Sequence, residues 1–281
     1  MSSPKVVADI GLNHNGDLDR ALRMCAIART MGADYVKFQK RTIEKAYTKE
    51  YLDKPRQSKW GTTVREEKYG LEFDETNYKV IDTFCTRQGI KWFASPRDID
   101  SVKFLAGFGV PFMKVASGSL VDFPLLDAIC DTSIPMILST GMAYGSEIDS
   151  AIRRIRERDG RTAYILHCVS LYPQPQNQMH MARIKTLKDT YGDIAKIGFS
   201  NHSESIIHCI QAAVLGAEMI EFHITEDRDL PGPDHHSSIG PTGFKRIIDH
   251  LKSLDGSMGD PNLNPTQEEL DKGKSYPWRQ K

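Results

Sequence analysis

His202 and His223 each close a short apolar run, IGFSNH and MIEFH, of the kind that forms a buried strand. If the two strands adjoin, their imidazoles converge. A centre with two protein nitrogens and open positions for water or substrate suits a catalytic divalent ion, Mn²⁺ with Mg²⁺ or Co²⁺ as alternatives, better than a closed structural zinc site. A lone strand histidine, by contrast, is more often a hydrogen-bonded core residue. Lys37 in YVKFQ and Lys114 in FMKVASGS occupy similar strand positions, and a lysine there needs an anion or a Schiff-base role to offset its burial. Ser95 and Ser139 end other apolar runs, while Ser117 shares the run of Lys114 and Ser200 that of His202. Two lysines with several hydroxyls make a cradle for a small phosphorylated carboxylate. The plainer alternative is that each lysine snorkels to solvent or pairs with Asp9 or Glu221, and that the serines are caps and turn residues.

Positioning these residues is the task of regularly alternating elements. Apolar, β-branched or aromatic runs at 5–11, 35–39, 91–96, 112–117, 136–141, 163–170, 196–202 and 219–225 predict strands. Helical periodicity with capping signals predicts helices over 18–31, 75–88, 99–108, 124–131, 147–158, 181–191, 205–215 and 242–254. Eight strands and eight helices in strict turn point to a closed (β/α)₈ TIM barrel. A doubly wound open sheet alternates similarly, but NHNGD follows the first strand where a dinucleotide fold would carry GxGxxG. The catalytic barrel is thus expected over residues 1–254, with an irregular C-terminal extension over 255–281. The stretch 40–74 is long enough to be a functional βα loop, the alternative being a solvated excursion with an extra helix. In such a barrel the chemistry sits where strands end, and there Asp9, Lys37, Gln39, Ser95, Lys114, Ser117, Ser139, Ser170, Tyr172, Ser200, His202, Glu221 and His223 gather.

Composition narrows the partners. Lys+Arg and Asp+Glu balance at 37 each over 281 residues, so no overall positive field favours nonspecific nucleic-acid or anionic-membrane binding. The N-terminal MSSPKVVADIG has no signal-peptide stretch, and no run approaches the ~20 apolar residues of a membrane span. Cytoplasm is the default compartment. Cys25, Cys85, Cys130, Cys168 and Cys209 are scattered without metal-like spacing and read as reduced packing residues.

ADIGLNHNGD, VKFQ, FASP, MKVASGS, ILSTGMA, LHCVSLYPQP, IGFSNHS, EFHIT and DLPGPDHHSS occur in this order. The series resembles the catalytic barrel of the sialic acid synthase (N-acetylneuraminate synthase) family from about Val6 to Ile247. The resemblance implies condensation of phosphoenolpyruvate with an N-acyl sugar aldehyde such as N-acetylmannosamine, addition of water at C2, and loss of phosphate to give a 3-deoxy-2-keto sugar acid. It implies that Lys37, Lys114, Ser95 and Ser117 form the carboxylate side of the phosphoenolpyruvate site, with Ser139, Ser170 and Ser200 toward the phosphate. Gln39, Tyr172 and Asp234 resemble sugar contacts, His202 and His223 the metal ligands, and Asp9 a group handling water or a proton. Asp9 stands where Glu is common, Ser170 where some relatives have Asn, and Phe222 where a basic residue usually precedes the second histidine.

The resemblance also implies a small antifreeze-like domain that, in a domain-swapped dimer, lends an arginine to the partner's sugar site. Here SMGDPNLNPTQEEL resembles the start of the linker and the sequence ends at Lys281. A swapped dimer is therefore not assumed, and a homodimer through the barrel stays open. Two other readings are a Schiff-base pyruvate aldolase using Lys37 or Lys114 and a non-catalytic sugar-binding barrel.

Overall fold

The computed structural model describes residues 3–279. Eight parallel strands close into a barrel: β1 (Lys5–Gly11), β2 (Tyr35–Lys40), β3 (Lys91–Pro96), β4 (Met113–Val115), β5 (Met136–Ser139), β6 (Thr162–Cys168), β7 (Lys196–Asn201) and β8 (Met219–His223). Each pairs with its neighbours in sequence, and β1 pairs with β8 to complete the ring. The predicted (β/α)₈ architecture is the observed one.

The strands are buried along nearly their whole length, as a sheet covered by helices requires. Alternation sorts their side chains between the barrel interior and the helical layer. On β8, Glu221 and His223 take the interior, while Phe222 meets Phe244 of the last barrel helix edge-on, ring centroids 5.1 Å apart. The substitution at Phe222 therefore falls in the helical layer and leaves the barrel mouth untouched. Register then aligns the site: Asp9 lies opposite both His223 and Lys37, Gln39 opposite Ser95, Glu221 opposite Ser200, and Ser200 opposite Cys168.

The barrel helices are α1 (Leu18–Met31), α2 (Glu75–Gln88), α3 (Ile99–Gly107), α4 (Phe123–Cys130), α5 (Gly145–Glu157), α6 (Arg183–Tyr191), α7 (Ile207–Val214) and α8 (Pro241–Ser257). Helix α1 begins where the Asp17 carboxylate accepts from the Arg20 amide, and ends at Gly32 in the left-handed region. Strands β4 and β5 are shorter than their apolar runs because Ser117 begins a 3₁₀ turn and the chain after Ser139 leaves the ladder. Sequence periodicity marks where apolar residues continue, whereas hydrogen-bond pairing ends sooner.

The long β2–α2 connection is a folded lobe. It contains helices Ile43–Ala46, Lys49–Leu52 and Val64–Leu71 and a hairpin of Pro55–Ser58 with Gly61–Thr63. Ile43, Leu52 and Val64 form its own small core under Tyr47 and Tyr51. It docks on the first βα loop at Gly16, φ +73°, where a Cβ would come within 2.0 Å of the Gly70 carbonyl oxygen. Only glycine permits both that backbone and that approach. The extra helix expected of an excursion is present, and the lobe brings Glu72 onto the Arg41 amide at the end of β2.

Beyond the barrel, α8 continues through Ser257, past the predicted end at 254. The tail is exposed and mostly irregular, but a capping box at Thr266 and Glu269 starts a short helix, Gln267–Gly273. Among the described residues no helix is long and apolar enough to cross a membrane.

Candidate active site

The C-terminal ends of the strands enclose a cavity of about 300 Å³. Its wall contains Asp9, Lys37, Gln39, Ser95, Lys114, Ser117, Ser139, Ser170, Tyr172, Ser200, His202 and His223, which brings together every predicted site residue except Asp234. Asp234 lies on the β8–α8 loop, half-buried, near enough to act on the charges of Lys37 and Tyr172.

At the floor four charged side chains alternate in sign. Lys37 Nζ lies 2.5 Å from Asp9 Oδ2, and Lys114 Nζ donates to Glu221 Oε1 at 2.6 Å. Ser200 Oγ donates to the same Glu221 oxygen at 3.0 Å, and Lys37 stands 4.0 Å from it. All four are nearly sealed from solvent. Burial opposes the charge on Lys37, but the Asp9 and Glu221 carboxylates outweigh it and raise the Lys37 pKa. Burial likewise opposes the Glu221 charge, and Lys114 and Lys37 outweigh it and hold its carboxyl below the ordinary range.

Both histidines reach the same wall, with ring centroids 5.5 Å apart. His202 Nδ1 is 3.0 Å from the Val169 carbonyl oxygen, which can only accept, so that nitrogen carries the proton. His202 Nε2 is left facing the Tyr172 hydroxyl at 3.0 Å. His223 Nδ1 is 3.4 Å from Asp9 Oδ2. Gly11, φ +53°, carries the backbone past that ring, where a Cβ would lie 3.2 Å from His223 Cε1.

Several buried polar atoms here have no hydrogen-bond partner: Asp9 Oδ1, Ser139 Oγ, Glu221 Oε2 and His223 Nδ1. Such orphans destabilise a fold unless a ligand satisfies them. Among the described residues no group of three or more His, Cys, Asp and Glu is arranged to hold a metal ion. The residues present nonetheless fit an open two-histidine centre, because two imidazoles converge, one with an unpartnered nitrogen, beside an unpartnered Asp9 oxygen.

Sequence reasoning did not select Arg97, Met142 or Cys168, which also line the cavity, and it treated Glu221 chiefly as a partner for a lysine. All five cysteines are free and buried, and Cys168 also lines the cavity. Its Sγ lies 3.7 Å from His202 Nδ1 and accepts from Ser117 Oγ at 3.5 Å. Burial pushes the Cys168 thiol up, the His202 imidazole more than compensates, and its pKa falls to about 7. The signal for Arg97 was its place directly after FASP, two residues past Ser95 at the end of β3.

The NeuB family model matches residues 24–262. N-acetylneuraminate-9-phosphate synthase of Homo sapiens is 33% identical over 258 residues, 91% of this chain and 71% of the relative. N,N'-diacetyllegionaminic acid synthase of Campylobacter jejuni is 32% identical over 267 residues, 92% of this chain and 79% of the relative. Among solved structures, the N-acetylneuraminic acid (sialic acid) synthetase of Leptospira borgpetersenii in complex with citrate superposes with a TM-score of 0.84 at 30% identity, covering 98% of this chain and 91% of that one. With the ordered motifs, the closed barrel and the assembled mouth, these similarities show that the chain belongs to the NeuB family.

Proposed function

We propose that this chain condenses phosphoenolpyruvate with an N-acyl sugar aldehyde and water, releasing phosphate and a 3-deoxy-2-keto sugar acid of the sialic, legionaminic or pseudaminic type. The observation that carries this reading is the set of unpartnered buried polar atoms on Asp9, Ser139, Glu221 and His223, surrounding two buried lysines in one cavity. Its polar wall is suited to a small anion. Lys37 and Lys114 receive the carboxylate, with Ser95 and Ser117 beside them, and Ser139, Ser170 and Ser200 lie toward the phosphate. Glu221 holds both Lys114 and Ser200 by a single oxygen, so the two halves of that cradle share one anchor. On the acceptor side Gln39, Tyr172 and Asp234 contact the sugar, and the Tyr172 hydroxyl faces His202.

His202 and His223 would hold a divalent ion, Mn²⁺ being the expected one. That ion supplies Lewis-acid polarisation of the aldehyde oxygen. Asp9 is tied through Oδ2 to Lys37, leaving Oδ1 to orient a water molecule or accept its proton.

Ion pairing counts against the Schiff-base alternative. A lysine nucleophile needs a lowered pKa, whereas Lys37 is raised and Lys114 is bound to Glu221. The test is release of inorganic phosphate from phosphoenolpyruvate with Mn²⁺ and a panel of N-acyl hexosamines and other aldoses. Stoichiometric phosphate and a condensed keto acid are expected. Failure with every acceptor would favour a non-catalytic barrel.

A further inference from the structure

The β8–α8 connection, which carries Asp234, is held by hydrogen bonds with little apolar burial. Over 226–238 no hydrophobic side chain is buried; the buried residues are His235, Ser237 and Ser238. Apolar burial is non-directional, whereas hydrogen bonds fix both distance and direction. The loop springs from His223, whose ring lines the mouth. At its root the Ile239 amide donates to the His223 carbonyl oxygen at 2.8 Å, and the Thr225 amide donates to that of Ile239 at 3.2 Å.

Inside the loop the His235 ring is fully buried and does not line the cavity. Its Nδ1 lies 2.7 Å from the Thr225 hydroxyl, and its Nε2 lies 3.3 Å from Asn15 Oδ1 in the first βα loop. Burial lowers the His235 pKa to about 4, and a neutral imidazole has one donor and one acceptor to share between a hydroxyl and an amide. Gly232, φ +154°, packs against the ring, where a Cβ would lie 2.7 Å from His235 Cδ2. Asp234 itself is gripped through its carbonyl oxygen, which accepts from Ser238 Oγ at 2.6 Å and from Ser237 Oγ at 3.1 Å. Ser238 Oγ accepts in turn from Asn13 Nδ2 at 2.7 Å, and the same nitrogen donates to the Ile224 carbonyl oxygen at 2.8 Å. Lys59 of the lobe anchors the first βα loop from the other side, donating to the Asn15 carbonyl oxygen at 3.0 Å. Among the described residues the Asp234 carboxylate makes no hydrogen bond or ion pair. A tied backbone carrying an untied carboxylate presents an acceptor at a fixed place.

We propose, resting on the condensation reading above, that His235 with Asn13 and Asn15 forms a clamp that positions the Asp234 carboxylate for the acceptor sugar. His235 is a positioning residue: it touches neither substrate and acts on acceptor binding through the loop. Phosphoenolpyruvate, held by Lys37, Lys114 and the serines, does not depend on it.

The test measures both Michaelis constants, with Mn²⁺ and N-acetylmannosamine or whichever aldose of the panel turns over, in wild type, His235→Ala, His235→Gln and Asn15→Gly. Gln keeps a polar group within reach of Asn15, while Gly suits the φ of +54° at position 15 and keeps the carbonyl that Lys59 binds. His235→Ala should raise the acceptor KM by about tenfold or more, since misplacement caused far from the chemistry can cost about 100-fold. The phosphoenolpyruvate KM should not move, and His235→Gln should recover part of the loss. In an Asp234→Asn background His235→Ala should add less than about twofold, because it acts through the group already lost. Full additivity of those two changes, or equal rises in both constants, would overturn the proposal, as would an unmoved acceptor KM in folded protein. Should His235→Ala not fold, Asn15→Gly decides by the same split. If wild type turns over no aldose, the condensation reading fails and amide hydrogen exchange decides the clamp. Faster exchange confined to 226–238 in Asn15→Gly supports it; exchange unchanged, or raised throughout the chain, overturns it.

Discussion

Two buried clusters of charge lie at neighbouring strand ends and differ in how completely they are satisfied. In the lobe after β2, Lys40 donates to Glu72 at 2.8 Å and to the Phe73 carbonyl at 2.9 Å, and Glu72 also accepts the Arg41 amide at 3.1 Å. On the barrel floor, Asp9 and Glu221 each spend one oxygen on a lysine and leave the other without a partner. Burial alone does not separate a structural ion pair from a functional one. Unused capacity facing the cavity does: Asp9 and Glu221 line it with a free oxygen each, whereas the unpartnered atom of the lobe cluster, Arg41 Nε, belongs to a residue outside the cavity wall.

The largest expected effect comes from Lys114→Met, which strips Glu221 of its closest cation in a site sealed from water. Loss of one partner of a buried pair costs about 3–5 kcal/mol, readable as a lowered urea midpoint, and phosphate release should stop. Lys40→Met should cost stability on the same scale. If the comparison holds, it should leave turnover in the folded fraction within about tenfold of wild type, the low end of what a lost support costs, because Lys40 does not line the cavity. Equal loss of activity in both variants would erase the distinction.

His202→Ala and His223→Ala should each abolish stoichiometric Mn²⁺ retention, measured by metal analysis after gel filtration. Asp9→Asn keeps the shape beside His223 but removes the charge, and should weaken metal binding by about 10–100-fold. Unchanged metal content in all three would place the ion elsewhere.

A smaller effect concerns pH. His14 is stacked on Phe73, centroids 4.0 Å apart, and accepts from the Gly16 amide at 3.0 Å. Burial, aided by the Arg41 charge, lowers its pKa to about 3. The unfolded chain takes up a proton below about 6.5 that the folded chain refuses. Stability should therefore fall as pH drops from about 6.5 toward 3, by up to about 1.4 kcal/mol per pH unit from this group. His14→Phe should flatten that slope, read from urea midpoints across the range; an unchanged slope would assign it to other groups.

The barrel was legible because alternation of apolar runs is a local property that survives in one dimension. So was the floor of the site, since Lys37, Lys114, His202 and His223 each interrupt an apolar run. The acceptor side was not. Arg97 follows a strand end like many surface arginines, and only the closed barrel shows that it lines the cavity. The lobe's docking on the barrel uses the Gly16–Gly70 contact between segments far apart in sequence. Cys168 reads as packing in the sequence because its contacts with Ser117 and His202 come from other strand ends.

The most direct test of the account follows phosphate release from phosphoenolpyruvate, with Mn²⁺ and both neutral and anionic N-acyl sugars, in wild type, Lys114→Met and Lys40→Met side by side. The account predicts one phosphate released per keto acid formed in wild type and Lys40→Met, and none in Lys114→Met. No release by wild type with any acceptor, or undiminished release by Lys114→Met, would contradict it.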